Sequence, residues 1–295
     1  MIPTGSLGLD AIIGTGGIPK GMVTEIYGPE SSSKTTLALC VISELQKSGG
    51  VAVLVDAEYA FNPSYAKQVG VDMLRLLVLQ ADTGEQALQC VESVVESGFA
   101  DIVVLDSVAA LVPEEELLEE VGVKKVALLA RLMSQALRRM AGKVSKSGTA
   151  VVFINQIRML IGMMYGNPEF SPGGRALKFY AALRLETRRI AKIGQKGEDP
   201  IGDRIRVKVT KNKLAPPFRS AELDVIYGRG IAPEYELLQL GERFGIIQRS
   251  GSLRSFGGIA LGRGFDASCA FLRENASVFK DIRNEVVTKL WQKES

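Results

Sequence analysis

The chain has 295 residues, a formal net charge of +3 and 46% hydrophobic residues, which predicts an ordinary globular protein with room for one large and one smaller domain. It contains no histidine, which excludes histidine-based catalytic triads and histidine-ligated metal centres. The three cysteines are scattered and fit a reducing compartment better than a disulfide scaffold, and we find neither a signal peptide nor an apolar run of membrane-spanning length.

The first informative element along the chain is a strand–loop–helix unit. Its loop, Gly28-Pro-Glu-Ser-Ser-Ser-Lys-Thr-Thr36, has the spacing of the phosphate-binding motif G-x-x-x-x-G-K-[ST], but Ser33 occupies the second glycine position. We expect the backbone N–H groups and the positive end of the helix dipole to bind phosphate. Lys34 would reach the β- and γ-phosphates, and the Thr35 hydroxyl would ligate magnesium.

Ser33 is a departure from this motif with a physical consequence. Glycine tolerates backbone angles that cost other residues about 1 kcal/mol or more. The serine therefore affects nucleotide affinity or turnover, and the motif alone predicts that Ser33→Gly speeds hydrolysis or tightens nucleotide binding.

Three further apolar strands follow, and each ends in a polar residue. Strands that are apolar throughout and alternate with helices predict an α/β fold with a parallel sheet covered on both faces. Active groups then belong at the carboxyl ends of the strands. The strands span residues 51–56, 101–106 and 149–156, and helical spacing occurs at 84–97 and 128–144.

Polar residues at these strand ends are the candidate catalytic groups. Asp106 has the setting of a Walker B carboxylate that holds magnesium through water, and the alternative is a turn residue. Glu58 could orient or deprotonate the water that attacks a γ-phosphate, or be a solvated loop acid. Gln156 could donate an amide hydrogen bond to the γ-phosphate, although a glutamine at a strand end is otherwise unremarkable.

Residues 157–174 interrupt the pattern with a long glycine-rich loop, and long loops in compact domains are usually functional. It could be a lid over the nucleotide, a partner-docking loop or a nucleic-acid-binding loop. Met164 and Tyr165 could wedge between bases, and the amides of Gly173 and Gly174 could bind phosphates. The basic helix face that precedes the loop is, from charge alone, better explained as a solvated surface; it comprises Arg131, Arg138 and Arg139.

The sequence changes character again towards the C-terminus. Residues 180–226 alternate as β-strands do, and the remainder is mixed, with helices at 266–274 and 276–292. We therefore predict a core at 1–231 and a small α+β domain at 232–295.

The residues resemble one family over nearly the whole chain, the bacterial-type RecA recombinases. The resemblance begins at Thr4-Gly-Ser-Leu-Gly-Leu-Asp10 and extends to about Leu290. Its most specific blocks are Glu25-Ile-Tyr-Gly-Pro-Glu-Ser-Ser31, Asp106-Ser-Val-Ala-Ala-Leu111, Phe153-Ile-Asn-Gln-Ile-Arg158, Gly173-Gly-Arg-Ala-Leu-Lys-Phe-Tyr180 and Lys211-Asn-Lys-Leu-Ala-Pro-Pro-Phe218.

The resemblance implies a RecA-like ATPase core and ATP-dependent strand exchange in DNA recombination, repair and the response to DNA damage. The expected cofactors are ATP and Mg²⁺. The expected partners are single-stranded and double-stranded DNA and further copies of the chain in a helical filament, with no membrane. The expected compartment is the cytoplasm, with an organelle matrix as the alternative.

The resemblance also implies site residues. It implies that Glu58, Lys34 and Gln156 are catalytic and that Thr35 and Asp106 bind magnesium. Nucleotide binding falls to Gly28, Pro29, Glu30, Ser31, Ser32, Ser33, Lys34, Thr35, Thr36, Tyr65, Asp106, Lys211, Lys213 and Tyr227, with Tyr65 stacked on adenine and the two lysines reaching ATP across the subunit interface. DNA binding falls to loops at 118–127 and 157–174 and to Arg131, Arg138, Arg158, Met159, Met164, Tyr165, Gly173, Gly174 and Arg175.

Some positions depart from the family. Besides Ser33, Asn62 stands where an aspartate near the adenine is usual, and Glu119 with Lys124-Lys125 changes the first DNA loop. The family's N-terminal docking segment has no counterpart before Met1, so we expect a weaker filament if that segment is truly absent. The alternative function is a regulatory paralogue that binds nucleotide and DNA without hydrolysis.

Overall fold

The computed structural model describes residues 1–118, 127–159, 169–194 and 197–292. Its strands are β1 (Val23–Gly28), β2 (Ala52–Asp56), β3 (Leu76–Gln80), β4 (Ile102–Asp106), β5 (Ala150–Gln156), β6 (Arg158–Met159), β7 (Glu169–Phe170), β8 (Leu183–Ile193), β9 (Gly202–Asn212), β10 (Ser220–Ile226), β11 (Gly230–Ile231), β12 (Gln248–Ser250), β13 (Leu253–Phe256) and β14 (Ile259–Arg263). Its α-helices are α1 (Leu7–Ile13), α2 (Lys34–Lys47), α3 (Pro63–Val69), α4 (Gly84–Ser97), α5 (Glu114–Leu117), α6 (Leu128–Ser147), α7 (Ala176–Tyr180), α8 (Pro233–Arg243), α9 (Phe265–Glu274) and α10 (Ala276–Gln292).

A nine-stranded sheet, counted over the described residues, organises the larger part of the chain in the order β11-β10-β9-β8-β1-β5-β4-β2-β3. From β8 to β3 in this order, each adjacent pair of strands is parallel. The register places Asp56 opposite Asp106 and Gly28 opposite Gln156. The carboxyl ends of four strands therefore meet at one edge, and the predicted α/β class is confirmed.

Both faces of the parallel strands are buried, which explains why these strands are apolar throughout. Leu54, Val104 and Val152 point into a core that includes α2, whereas Val53 and Val103 point into a second core that includes α4 and α6. The helices on the two faces thus bury alternate side chains of the same strands. This packing holds the strand ends in a fixed arrangement.

The strands β8 to β11 extend the sheet in antiparallel fashion. One face of this extension joins the core that contains α2, through side chains such as Leu185, Ile205 and Leu223. The alternate positions carry charged side chains such as Arg188, Arg206 and Glu222. A half-buried sheet shows this alternation, which matches the β-like pattern predicted for residues 180–226.

A third hydrophobic cluster lies in the C-terminal part of the chain. It contains Leu237, Ile247, Leu261, Leu272 and Ile282, from α8, α9, α10 and the segment around the three-stranded antiparallel sheet β12-β13-β14. The α+β character predicted for this part is confirmed. The division at residue 231 remains a prediction.

The two predicted DNA loops are described only at their ends. The first, at 118–127, lies outside the described residues except for its terminal positions. In the second, Arg158 pairs with Phe170 and Met159 with Glu169. The ends of this loop form a short antiparallel ribbon, where the glycine-rich sequence predicted irregular structure.

No helix in the described ranges is both long and apolar enough to cross a bilayer.

Candidate functional site

The phosphate-binding motif forms the turn between β1 and α2. The Ser32 hydroxyl donates to the Pro29 carbonyl at 2.8 Å and lies 2.8 Å from the Thr187 hydroxyl of β8. A Cβ at Gly28 would approach the Thr187 carbonyl oxygen to 2.2 Å, so only glycine fits there. The adjoining strand thus shapes the turn, a contribution of Thr187 that the motif does not reveal.

Ser33, at the glycine position of the motif, adopts a left-handed backbone conformation, which glycine tolerates best. Its φ is 61° and its ψ is 29°, and Ser31 also has a positive φ of 53°. Such angles cost non-glycine residues about 1 kcal/mol or more. The loop therefore keeps the geometry of the motif at an energetic cost.

Ten residues from four strand ends line a cleft of about 460 Å³. They are Glu30, Ser31, Ser32, Ser33, Lys34, Thr35, Thr36, Glu58, Asp106 and Gln156. The structure thus brings together the predicted catalytic residues and most of the predicted nucleotide-binding loop. Tyr65, Tyr227, Lys211 and Lys213 do not line this cleft.

Two opposite charges face each other across the cleft. The Lys34 ammonium donates to the Pro29 carbonyl at 2.6 Å, and burial lowers the pKa of this lysine. Burial raises the pKa of Asp106, a hydrogen bond from Thr35 opposes the rise, and the nearby Glu58 adds to it, so that the pKa is about 6. Both groups are held in poorly solvated positions, where interactions with a charged ligand are strong.

Thr35 and Asp106 are the residues that could hold a magnesium ion. The Thr35 hydroxyl donates to Asp106 Oδ2 at 2.7 Å. A hydroxyl and a carboxylate at this separation fit Mg²⁺, which prefers oxygen ligands and takes few of them from the protein beside substrate phosphates. Within the described ranges no cluster of three or more histidine, cysteine or acidic side chains could hold a metal by itself. A metal here would depend on the nucleotide for further ligands.

Glu58 is held by donors from two neighbouring strand ends. Its Oε1 accepts from the Ser107 hydroxyl at 2.5 Å and from the Gln156 amide at 3.1 Å. The preceding Asp56 carboxylate accepts from the backbone of Ala60 at 3.3 Å. The Glu58 carboxylate is therefore aimed into the cleft. Sequence reasoning missed Ser107, although its position directly after Asp106 places it at the same sheet edge.

Tyr65 lies beside the loop. Its hydroxyl is 2.8 Å from the Thr36 hydroxyl, and its backbone N–H donates to Asn62 Oδ1 at 3.0 Å. Burial raises the pKa of Tyr65. Asn62 therefore serves as the cap of α3 in addition to its place near the predicted adenine position. Tyr227 is 48% exposed and thus available for stacking.

A buried hydrogen-bond network links the cleft to the end of the predicted second DNA loop. Asn155, next to Gln156, donates to the Pro172 carbonyl at 3.1 Å and to Glu25 Oε1 at 3.2 Å. Glu25 is fully buried and accepts from Arg184 Nε at 2.5 Å. The end of β5, the loop and β8 are thus connected by groups that cannot move independently without leaving a buried charge unpaired.

The predicted interface lysines lie at a different part of the sheet. The Lys211 ammonium donates to the carbonyls of Lys178 and Phe179, at 2.7 and 2.8 Å. Burial and the nearby charges of Lys213 and Arg184 lower its pKa. Lys213 is exposed. Neither contributes to the cleft of its own chain.

The described members of the predicted DNA-binding set lie on α6 and on the two ends of the predicted second loop. Arg131 and Arg138 are exposed on α6, and Arg158, Met159 and Arg175 are exposed on the flanking segments. A Cβ at Gly174 would lie 2.8 Å from that of Ala130, so the glycine allows close packing on α6. Gly173 packs likewise against Met133. Met164 and Tyr165 lie outside the described residues.

Comparisons with known proteins agree with these features. A family model described as the RecA N-terminal domain matches residues 1–232, and one described as the RecA C-terminal domain matches residues 235–291. Protein RecA of Thermus aquaticus is 53% identical over 289 residues, which cover 98% of this chain and 85% of that protein. Protein RecA of Chlorobium limicola is 55% identical over 285 residues, which cover 97% and 81%.

A solved structure is also similar to this chain. The crystal structure of the RadB recombinase matches with a TM-score of 0.59 and 22% identity, over 78% of this chain and 98% of that one. At this identity the match shows the fold alone.

Proposed function

The chain belongs to the RecA family of DNA-dependent ATPases and recombinases, and from this we propose how its cleft hydrolyses ATP in a filament on single-stranded DNA. The observation that carries the proposal is the convergence of Lys34, Thr35, Glu58, Asp106 and Gln156 on one cleft. Lys34 and Thr35 begin α2, whereas Glu58, Asp106 and Gln156 lie at or just after the ends of β2, β4 and β5. Their meeting therefore reflects the fold and not their spacing in sequence.

We propose that the phosphates of ATP lie against the loop at the start of α2. The first N–H groups of a helix have no intrahelical acceptor, and the helix dipole favours an anion at this end. Lys34 would exchange its contact with the Pro29 carbonyl for the β- and γ-phosphates. Thr35 and Asp106 would hold Mg²⁺, which would neutralise developing charge on the phosphates. Tyr65 and Tyr227 would contact the adenine.

Glu58 would act as the general base in hydrolysis. Its Oε1 accepts two hydrogen bonds, whereas no donor among the described residues reaches Oε2, which can face an attacking water. The water would lose its proton to Glu58 as its oxygen bonds to the γ-phosphorus, and the bond to the β–γ bridging oxygen would break. Gln156 would contact the γ-phosphate through its amide.

DNA would bind beside α6 and the two loops. The exposed Arg131, Arg138 and Arg175 supply positive charge, and binding through phosphates and stacking is insensitive to sequence but sensitive to salt. Asn155 and its contact with Pro172 offer a route by which the loop and the cleft influence each other. Lys211 and Lys213 would reach the ATP of a neighbouring copy in the filament.

The bacterial relatives and the three free cysteines support a cytoplasmic location. Cys40 and Cys269 are buried, and burial raises the pKa of Cys40 to about 11. A thiol of this kind is inert.

The test is hydrolysis of Mg-ATP by the purified chain with and without single-stranded DNA, alongside a sizing measurement of assembly. We expect hydrolysis that rises with DNA, and loss of ATP-dependent DNA binding in Lys34→Ala. Absence of hydrolysis above background, with ATP still bound, would favour the regulatory paralogue. Full DNA binding by Lys34→Ala would refute the assignment of the loop.

A further inference from the structure

Several helices of this chain begin with a polar side chain that caps the first turn. Ser6, Asn62 and Thr83 have φ values of −118°, −109° and −126°, and each accepts from a backbone N–H three residues on. This is the usual arrangement at a helix N-terminus. The capping side chain accepts the hydrogen bond of a backbone N–H group that could otherwise donate to an anion.

Ser33 stands at the same position of α2 but does not cap it. Its φ is positive, and its side chain makes no cap hydrogen bond. Among the described residues none accepts a hydrogen bond from the backbone N–H groups of Lys34, Thr35 or Thr36. The next backbone N–H group, that of Leu37, donates to the Ser33 carbonyl at 2.9 Å. The left-handed backbone therefore leaves the start of α2 open to an anion even though a serine occupies the capping position.

The Ser33 hydroxyl is also without a partner within the described ranges, unlike that of its neighbour. Ser32 is 1% exposed and its hydroxyl contacts both Pro29 and Thr187. Ser33 is half-buried and lines the cleft beside Lys34 and Thr35. The chain thus presents an unused hydroxyl donor in the cleft, at a position where glycine would present none.

We propose that the Ser33 side chain is a phosphate ligand, donating its hydroxyl proton in a hydrogen bond to a phosphate oxygen of bound ATP. This inference rests on the proposed function of the cleft. Hydrogen bonds to ionised groups are stronger than neutral ones, so the added donor strengthens binding. The positive φ is present before nucleotide binds, so its cost affects the stability of the chain and cancels from ATP affinity.

The test measures ATP and ADP affinity of the full chain by titration calorimetry without DNA. Ser33→Ala keeps the Cβ and removes the hydroxyl, and we expect about tenfold weaker ATP binding, or about 1.4 kcal/mol. Ser33→Gly should weaken ATP binding to a similar extent, contrary to the expectation from the motif alone. ADP binding should weaken in parallel if the hydroxyl contacts the β-phosphate, and stay unchanged if it contacts the γ-phosphate.

Ser48→Ala is the matched control. Its hydroxyl donates to the Leu45 carbonyl at 2.7 Å at the other end of α2, so ATP affinity should not change. Thermal unfolding without nucleotide verifies that Ser33→Ala is folded. Wild-type affinity in Ser33→Ala, or tighter binding in Ser33→Gly, would overturn the inference while leaving the function of the cleft intact. A wild-type chain that binds no ATP would overturn both.

Discussion

The Glu58 carboxylate has an asymmetric environment. Ser107 and Gln156 donate to the same oxygen, Oε1. The two donors orient the group, and no donor among the described residues reaches the other oxygen. This arrangement supports the proposed role of Glu58 as general base, in which the second oxygen would take the proton.

Glu58→Gln tests this division of roles. The amide oxygen can still accept from Ser107 and Gln156, but the side chain no longer accepts a proton from water. We expect the DNA-stimulated kcat to fall by about 10²–10³-fold, with ATP affinity changed little. Steady-state hydrolysis and equilibrium titration measure the two effects. Glu222→Gln, at an exposed position of β10, is the control. A loss of ATP affinity equal to the loss of kcat would contradict the role of base.

Asp10 is a second acid in an unusual environment, far from the reaction. Burial raises its pKa, hydrogen bonds from Thr4 oppose the rise, and the charges of Glu236 and Glu44 add to it, so that the pKa is about 7. Its Oδ1 accepts from the backbone N–H and hydroxyl of Thr4, at 2.9 and 2.8 Å. The folded chain therefore binds this proton more tightly than the unfolded chain, where the pKa is near 3.8.

This difference predicts a pH dependence of stability. A folded pKa above the unfolded one means that stability from this proton is present at low pH and is lost as pH rises towards about 7. Asp10→Asn keeps the acceptor oxygen without the charge. We expect the unfolding free energy of Asp10→Asn to exceed that of wild type by an amount that grows as the pH rises from about 3.8 to about 7. The limiting slope of this difference is about 1.4 kcal/mol per pH unit. Denaturant unfolding at several pH values measures it, and a gain independent of pH would contradict the prediction.

The contact between β1 and β8 depends on a buried ion pair. Glu25 is fully buried, and Arg184 lies 4.4 Å above the Tyr27 ring while donating to Glu25. Buried ion pairs add little net stability, but removal of one partner leaves an uncompensated charge. The pair therefore acts chiefly as a constraint on how these strands and the Asn155 side chain sit together.

Arg184→Ala should destabilise the chain by about 3 to 5 kcal/mol, because Glu25 would remain buried without its cation. Chemical denaturation gives the magnitude. Arg206→Ala is the matched control on the neighbouring β9, since Arg206 and Glu222 form an exposed pair at 3.0 Å worth about 1 kcal/mol or less. Equal losses in the two variants would show that burial of Glu25 is not the cause. The double variant Glu25→Gln/Arg184→Ala should recover part of the loss.

The whole molecule presents the cleft that we propose binds ATP and, apart from it, a pair of lysines. Lys211 contacts the end of α7 in its own chain, and Lys213 is exposed beside it. Two cationic groups outside the cleft of their own subunit fit an arrangement in which each cleft is completed by the next copy. ATP binding would then be a property of one subunit and fast hydrolysis a property of the filament.

Lys213→Ala separates these two properties. Without DNA, ATP affinity should equal that of wild type, because the lysine does not line its own cleft. With single-stranded DNA, hydrolysis should fall by roughly a hundredfold, the effect of removing one group that stabilises transition-state charge. Lys146→Ala, an exposed lysine at the end of α6, controls for charge. A wild-type rate in Lys213→Ala filaments of normal length would argue against a role across the interface.

Much of the architecture follows from local pattern. The helix predicted at residues 84–97 is α4 with the same bounds, and the apolar strands ending at Asp106 and Gln156 form as predicted. Strands buried on both faces have a sequence signal that few other structures share. Parallel strands bring their carboxyl ends to one edge, so the meeting of Glu58, Asp106 and Gln156 was also predictable.

Contacts between distant segments follow no local pattern. No periodicity in the sequence relates Ser107 to Glu58, 49 residues away, or Arg184 to Glu25, 159 residues away. The ribbon of β6 and β7 likewise forms within a glycine-rich stretch. The chain alone thus specified the elements, the sheet and the edge that holds the cleft, because burial and hydrogen bonding impose short periods on it. Packing decided which oxygen of Glu58 is free and which way Ser33 turns, because these depend on groups that only the folded sheet brings together.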